Sequence, residues 1–112
     1  MPFPESFGAG SLLRGRVEIT AGEAILALAG ELDVATASAV EERLRELADA
    51  SAGPVVLDMA ELEFLGSTGV RAILTTELYL GERDRPLILR HVEGMPRRTL
   101  EMTGLYPTLR IE

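Results

Sequence analysis

The sequence predicts an α/β domain: a small mixed sheet of four to five strands with helices packed on one face. Three observations carry this expectation. Two apolar segments, 16–20 and 24–32, are separated by a short turn, as in an antiparallel hairpin. An amphipathic helical pattern then leads to the continuous apolar run Val55-Val56-Leu57, closed by Asp58. A second helical pattern joins that run to a further apolar stretch at 86–91, and a strand, helix, strand order demands a crossover between parallel strands.

The elements follow in order. Residues 1–11 hold two prolines and two glycines without periodicity, and read as a flexible N-terminal arm ahead of a domain at 12–112. Phe3 and Phe7 in that arm offer a second reading, in which it docks on the domain or on a second copy in a homodimer. Arg16-Val17-Glu18-Ile19-Thr20 alternates like a half-exposed strand, Ala21-Gly22-Glu23 turns, and Ala24 to Leu32 forms a more buried strand. Val34, Ala37, Val40, Leu44, Leu47 and Ala48 then recur at helical steps, with charged residues between them. Asp33 is the expected N-cap of this helix, and Gly53-Pro54 follows its end.

After the 55–58 strand, Phe64-Leu65 leads to the small-residue knot Gly66-Ser67-Thr68-Gly69 and a helix with Val70, Ile73, Leu74 and Leu78 as its expected apolar stripe. Ser67, Arg71 and Thr75 fall on another face at four-residue intervals. Gly81-Glu82-Arg83-Asp84 ends that helix, and Pro86 to His91 is the next strand. A short helix follows Gly94, with Pro96 in its first turn, Met95, Thr99, Leu100 and Met102 suited to a core, and Gly104 as its stop. Leu109-Arg110-Ile111 is the last strand.

At 112 residues the chain suits one domain, and its 46% hydrophobic and 26% charged content is that of a folded one. The formal net charge of −7 disfavours nucleic acid and anionic membranes as partners and suits a basic protein surface. With no cysteine, thiolate chemistry is excluded. The chain shows no spanning segment or signal peptide, so a cytoplasmic location is expected.

No catalytic residue is assigned. The one histidine, His91, ends a strand without a nucleophile nearby in sequence, and reads as a surface residue. Asp58, Glu61 and Glu63 read as solvated carboxylates rather than a metal site, and no phosphate-binding fingerprint suggests a cofactor. The informative residues are those of the knot at 66–69. It sits where the first amides of a helix lack partners and the helix dipole is positive, so a phosphate on Ser67 is tolerated there.

This central stretch resembles the signature of the STAS family, the small domains of bacterial anti-sigma factor antagonists. In that family a strand ending in Asp leads through an aromatic-Leu pair to Asp-Ser-Ser/Thr-Gly and an apolar helix. Asp58, Phe64-Leu65 and Ser67-Thr68-Gly69 match it, while Gly66 stands where the family has Asp. Gly30-Glu31-Leu32-Asp33 resembles a second family motif that lies beside the phosphorylation turn, and Thr103-Gly104-Leu105 before the last strand resembles a third.

The resemblance implies a non-enzymatic regulator of transcription that binds an anti-sigma factor with serine-kinase activity and frees its sigma factor. Phosphorylation at Ser67, with Thr68 as a second candidate, would switch it off, and a serine phosphatase would restore it. Glu31, Asp33, Asp58, Gly66, Ser67, Thr68, Gly69 and Arg71 are the expected partner-binding residues, with Arg71 one turn along as a cation for the phosphate. The alternative is an unphosphorylated scaffold or ligand-sensing subunit of a sensory complex or lipid-transport machine, a reading strengthened by Gly66.

Overall fold

The computed structural model describes residues 2–8 and 12–112. Met1 and residues 9–11 of the expected arm lie outside the described residues. Six strands form one sheet in chain order: β1 (Glu5–Phe7), β2 (Leu13–Ile19), β3 (Ala24–Leu32), β4 (Val55–Leu65), β5 (Leu87–Arg90) and β6 (Arg110–Ile111). The pairs β1/β2 and β2/β3 are antiparallel, and from β3 to β6 every pair is parallel. Helices α1 (Ala37–Asp49), α2 (Ser67–Gly81) and α3 (Gly94–Met102) fill the three parallel connections, with a 3-10 turn at Tyr106–Thr108 before β6.

The mixed sheet and the hairpin agree with the sequence, but the strand count is one higher than expected. The extra strand is β1, which lies inside the segment read as a flexible arm. Two tertiary contacts order it. Phe7, 4% exposed, lies on Gly15, where a Cβ would come within 2.5 Å of its ring. The Glu5 carboxylate takes two hydrogen bonds from the Arg43 guanidinium on α1, at 2.8 and 2.9 Å. Neither contact leaves a local periodic signal.

Alternation along the strands divides the sheet. One face carries Ala24, Leu26, Leu28, Val55, Leu57, Met59, Leu87 and Leu89 into the core, under α1 and α2, which also pack on each other. The other face carries the cross-strand row Ile25, Val56 and Ile88. α1 buries Ala37, Val40, Leu44, Leu47 and Ala48, as its spacing dictates. Beyond its end the Arg85 guanidinium donates to the carbonyls of Ala48 (2.7 Å) and Gly53 (2.6 Å) and to Ser51 Oγ (3.1 Å), and so satisfies groups the helix end leaves open.

α2 departs from its expected stripe. Its buried residues include Gly69, Val70, Ala72, Ile73, Thr76 and Leu80, whereas Leu78 is 69% exposed. At about 100° per residue Leu78 falls opposite the centre of that buried set, in line with Ser67, Arg71 and Leu74. Met102, expected in the core, is 85% exposed because it ends α3, whose inward residues are Pro96 and Leu100.

Candidate functional site

Leu32 at the end of β3 lies opposite Leu65 at the end of β4 in a parallel pair, so the turns that follow leave the same edge of the sheet side by side. The Gly30-to-Asp33 motif and the Gly66-to-Gly69 motif, more than thirty residues apart, therefore meet. The Gly66 amide donates to the Leu32 carbonyl at 2.9 Å and ties the two turns together. Gly69 is buried against the same strand end, where a Cβ would stand 2.8 Å from the Leu32 carbonyl oxygen and 2.7 Å from Leu65 Cδ1.

Asp33 is not the N-cap of α1; that position belongs to Thr36. Residues 33–36 close a turn in which the Asp33 carbonyl accepts from the amides of Thr36 (2.9 Å) and Ala37 (2.8 Å). Thr36 Oγ1 accepts from the Asp33 amide at 3.1 Å and donates to the Glu31 carbonyl at 3.1 Å. The Asp33 side chain is thereby released toward α2, where Thr68 Oγ1 donates to its Oδ1 at 3.0 Å. A Cβ on Gly66 would overlap the Asp33 carboxylate, lying 2.6 Å from its carbon. Gly66 has an ordinary φ of −90°, so space, not backbone freedom, explains the glycine.

Ser67 is the first residue of α2 and is exposed. Among the described residues neither its hydroxyl nor the exposed Arg71 guanidinium has a hydrogen-bond or ionic partner. Arg71 stands one turn further along the same stripe, which ends at exposed Leu78, about 16 Å from Ser67 at 1.5 Å per residue. Val34, 75% exposed, projects from the neighbouring turn, with Glu31 exposed at its base. The result is a surface with a free hydroxyl, one unpaired cation and two apolar contact points.

Of the expected residues, Glu31, Asp33, Gly66, Ser67, Thr68, Gly69 and Arg71 converge here; Asp58 does not. β4 runs on to Leu65, through register shifts against β3, and leaves Asp58 seven residues short of the strand end, about 23 Å away at strand rise. There Asp58 Oδ1 pairs with His91 Nδ1 at 3.0 Å and accepts from the Ala60 amide. The histidine is half exposed, as a surface residue should be.

Thr36 and Val34 were not singled out from sequence. A hydroxyl three residues after Asp33 was the available signal for Thr36; Val34, expected on the apolar stripe of the first helix, instead precedes that helix, which starts at Ala37, and is exposed. Hydrogen bonds from Arg43 hold Glu5 below the usual carboxylate range, and a single hydrogen bond from Arg90 does the same for Glu112. Among the described residues no three potential metal ligands converge, and no helix is long and apolar enough to cross a membrane.

Residues 15–112 match the STAS domain family. The chain is 31% identical over 90 residues to the anti-sigma-F factor antagonist RsfB of Mycobacterium tuberculosis, covering 80% of this chain and 73% of that one. Its fold is similar to that of an anti-sigma factor antagonist from Mycobacterium paratuberculosis, with a TM-score of 0.75, 28% identity, and 93% and 88% of the two chains covered. It is also similar to that of the antagonist SpoIIAA in its unphosphorylated form, with a TM-score of 0.72, 21% identity, and 88% and 87% covered. With the sheet order, the paired turns and the family match all in agreement, the chain belongs to the STAS domain family.

Proposed function

We propose that this protein is an anti-sigma factor antagonist, a cytoplasmic module that acts by binding rather than by catalysis. The paired turns and the outer stripe of α2 dock on an anti-sigma factor, which then releases its sigma factor. The anti-sigma factor is also a serine kinase, Ser67 is its acceptor, and a serine phosphatase resets the switch. The observation that carries this reading is Ser67 itself: an exposed hydroxyl without a partner, at a helix N-terminus, in the middle of the candidate docking surface.

Phosphate adds roughly −1.5 to −2 charges at neutral pH. At the start of α2 the helix dipole and Arg71 tolerate that charge, so the fold is kept. Buried against a partner lacking a matching cation, the same charge is strongly unfavourable, so the complex is lost.

The test is recovery of wild type, Ser67→Ala and Ser67→Asp from lysate of the source organism, with mass spectrometry of the co-purifying proteins and of residue 67. Wild type and Ser67→Ala should retain a kinase-like anti-sigma factor, and folded Ser67→Asp should lose it. Retention of one transport or sensory assembly by all three, with Ser67 unmodified, would replace the switch with the constitutive scaffold.

A further inference from the structure

The contact between Asp33 and the start of α2 deepens the reading of Ser67 as phosphoacceptor and rests on it. Ser67 and Thr68 are adjacent hydroxyl residues in one helical turn, yet the structure treats them differently. Thr68 is half-buried and its hydroxyl is committed to Asp33 Oδ1 at 3.0 Å, whereas Ser67 is exposed and uncommitted. Asp33 reaches Thr68 only because position 66 has no side chain, since its carboxylate occupies that volume. The Gly66 amide, bonded to Leu32 at 2.9 Å, and buried Gly69 hold the turns at this separation.

We propose that Asp33 is the positioning residue that selects Ser67 as the single phosphoacceptor, by withholding the Thr68 hydroxyl, and that Gly66 is the space this device requires. In the transfer, an acceptor oxygen forms a bond to the γ-phosphorus of ATP held by the kinase. The bond to the leaving oxygen of ADP breaks, and the hydroxyl proton passes to a base on the kinase. For Thr68 to serve, it must first give up its charge-assisted bond and turn out of its half-buried site. Bonds of that kind set a disadvantage of about tenfold or more.

Two measurements test this. The first needs no partner. Gly66→Ala should lower the melting temperature in the wild-type background and lower it clearly less in Asp33→Ala, where the added methyl meets no carboxylate and only the preference for glycine over alanine at the N-cap of α2 remains. Equal effects in the two backgrounds would overturn the size complementarity.

The second maps phosphate by mass spectrometry on protein recovered from the source organism. Wild type should carry it on Ser67 alone. Ser67→Ala should carry at least about tenfold less on Thr68 than Ser67→Ala with Asp33→Ala, and Ser67→Ala with Asp33→Asn, which keeps an acceptor for Thr68, should stay as low as Ser67→Ala. Equal phosphate on Thr68 in Ser67→Ala and in the Asp33→Ala double variant, with Ser67 still modified in Asp33→Ala alone, overturns the selection while leaving Ser67 a phosphoacceptor. Wild type unmodified at both positions overturns the underlying switch, and the selection with it.

Discussion

Gly69→Ala sets two known effects against each other within α2. Alanine is favoured over glycine inside a helix by about 1 kcal/mol, so on propensity alone the change should stabilise. The structure opposes this, because the new Cβ would stand 2.7 Å from Leu65 Cδ1, 2.8 Å from the Leu32 carbonyl oxygen and 2.9 Å from Leu32 Cγ. Leu32 and Leu65 are buried, and the carbonyl belongs to a paired strand, so the helix has to move away. Overpacking of this kind costs about 1–3 kcal/mol, and movement also stretches the 2.9 Å bond from Gly66 to Leu32. We expect a net loss of about 1–2 kcal/mol, which lowers the urea midpoint by roughly 1 M. Gly81→Ala, at the other end of the same helix with nothing within 4 Å of its Cβ, is the control and should be neutral or stabilising by up to about 1 kcal/mol. Urea titrations followed by far-ultraviolet circular dichroism decide it. A Gly69→Ala protein as stable as wild type would refute the close packing of the two turns.

Three further outcomes are expected. Phe7→Ala should lower stability by about 2–3 kcal/mol in the same titration, a core-sized loss reduced by the edge position of β1, whereas a truly flexible arm would give no change. Arg85→Met should cost about 1.5–3 kcal/mol by removing three donors from the end of α1, with Arg85→Lys recovering only part of it. Glu5→Gln should cost about 0.5–1 kcal/mol at pH 7. Because the pair with Arg43 lowers the folded-state pKa of Glu5, its contribution is complete above the unfolded value near 4.5 and disappears as pH falls through the folded one. The gap between Glu5→Gln and wild type should therefore narrow in thermal melts below about pH 4.5, and a gap that widened there would contradict the assignment.

Where periodicity and chain order were sufficient, the sequence was informative. The β2/β3 hairpin, the parallel run from β3 to β5 and the buried side of α1 all follow from local patterns. What escaped was decided across long separations. β1 depends on a gap at Gly15 and on an arginine 38 residues beyond Glu5, so its three residues look structureless in isolation. Asp33 has the right chemistry for an N-cap, but Thr36 takes that position and a hydroxyl 35 residues away takes the carboxylate. Leu78 fitted an apolar stripe by spacing, yet the phase of α2 is set by small Gly69 and by Ile73 against the sheet. Asp58 lay close to Ser67 in sequence and in the family motif, and the length of β4 separated them. The small residues at 66 and 69 were visible as a helix start, whereas their fit to Leu32 and Asp33 required the neighbouring strand.

A sheet whose strands stand in the order of the chain also has consequences for biosynthesis. Each strand pairs with the one made just before it, so no early segment has to wait for a distant partner to be synthesised. Every residue of the paired turns and of α2 has been made by Gly81, ahead of β5, α3 and β6. On a ribosome releasing residues from the N-terminus onward, the recognition surface can begin to assemble while β5, α3 and β6 are still in the exit tunnel. The C-terminal strand then closes the sheet rather than founding it.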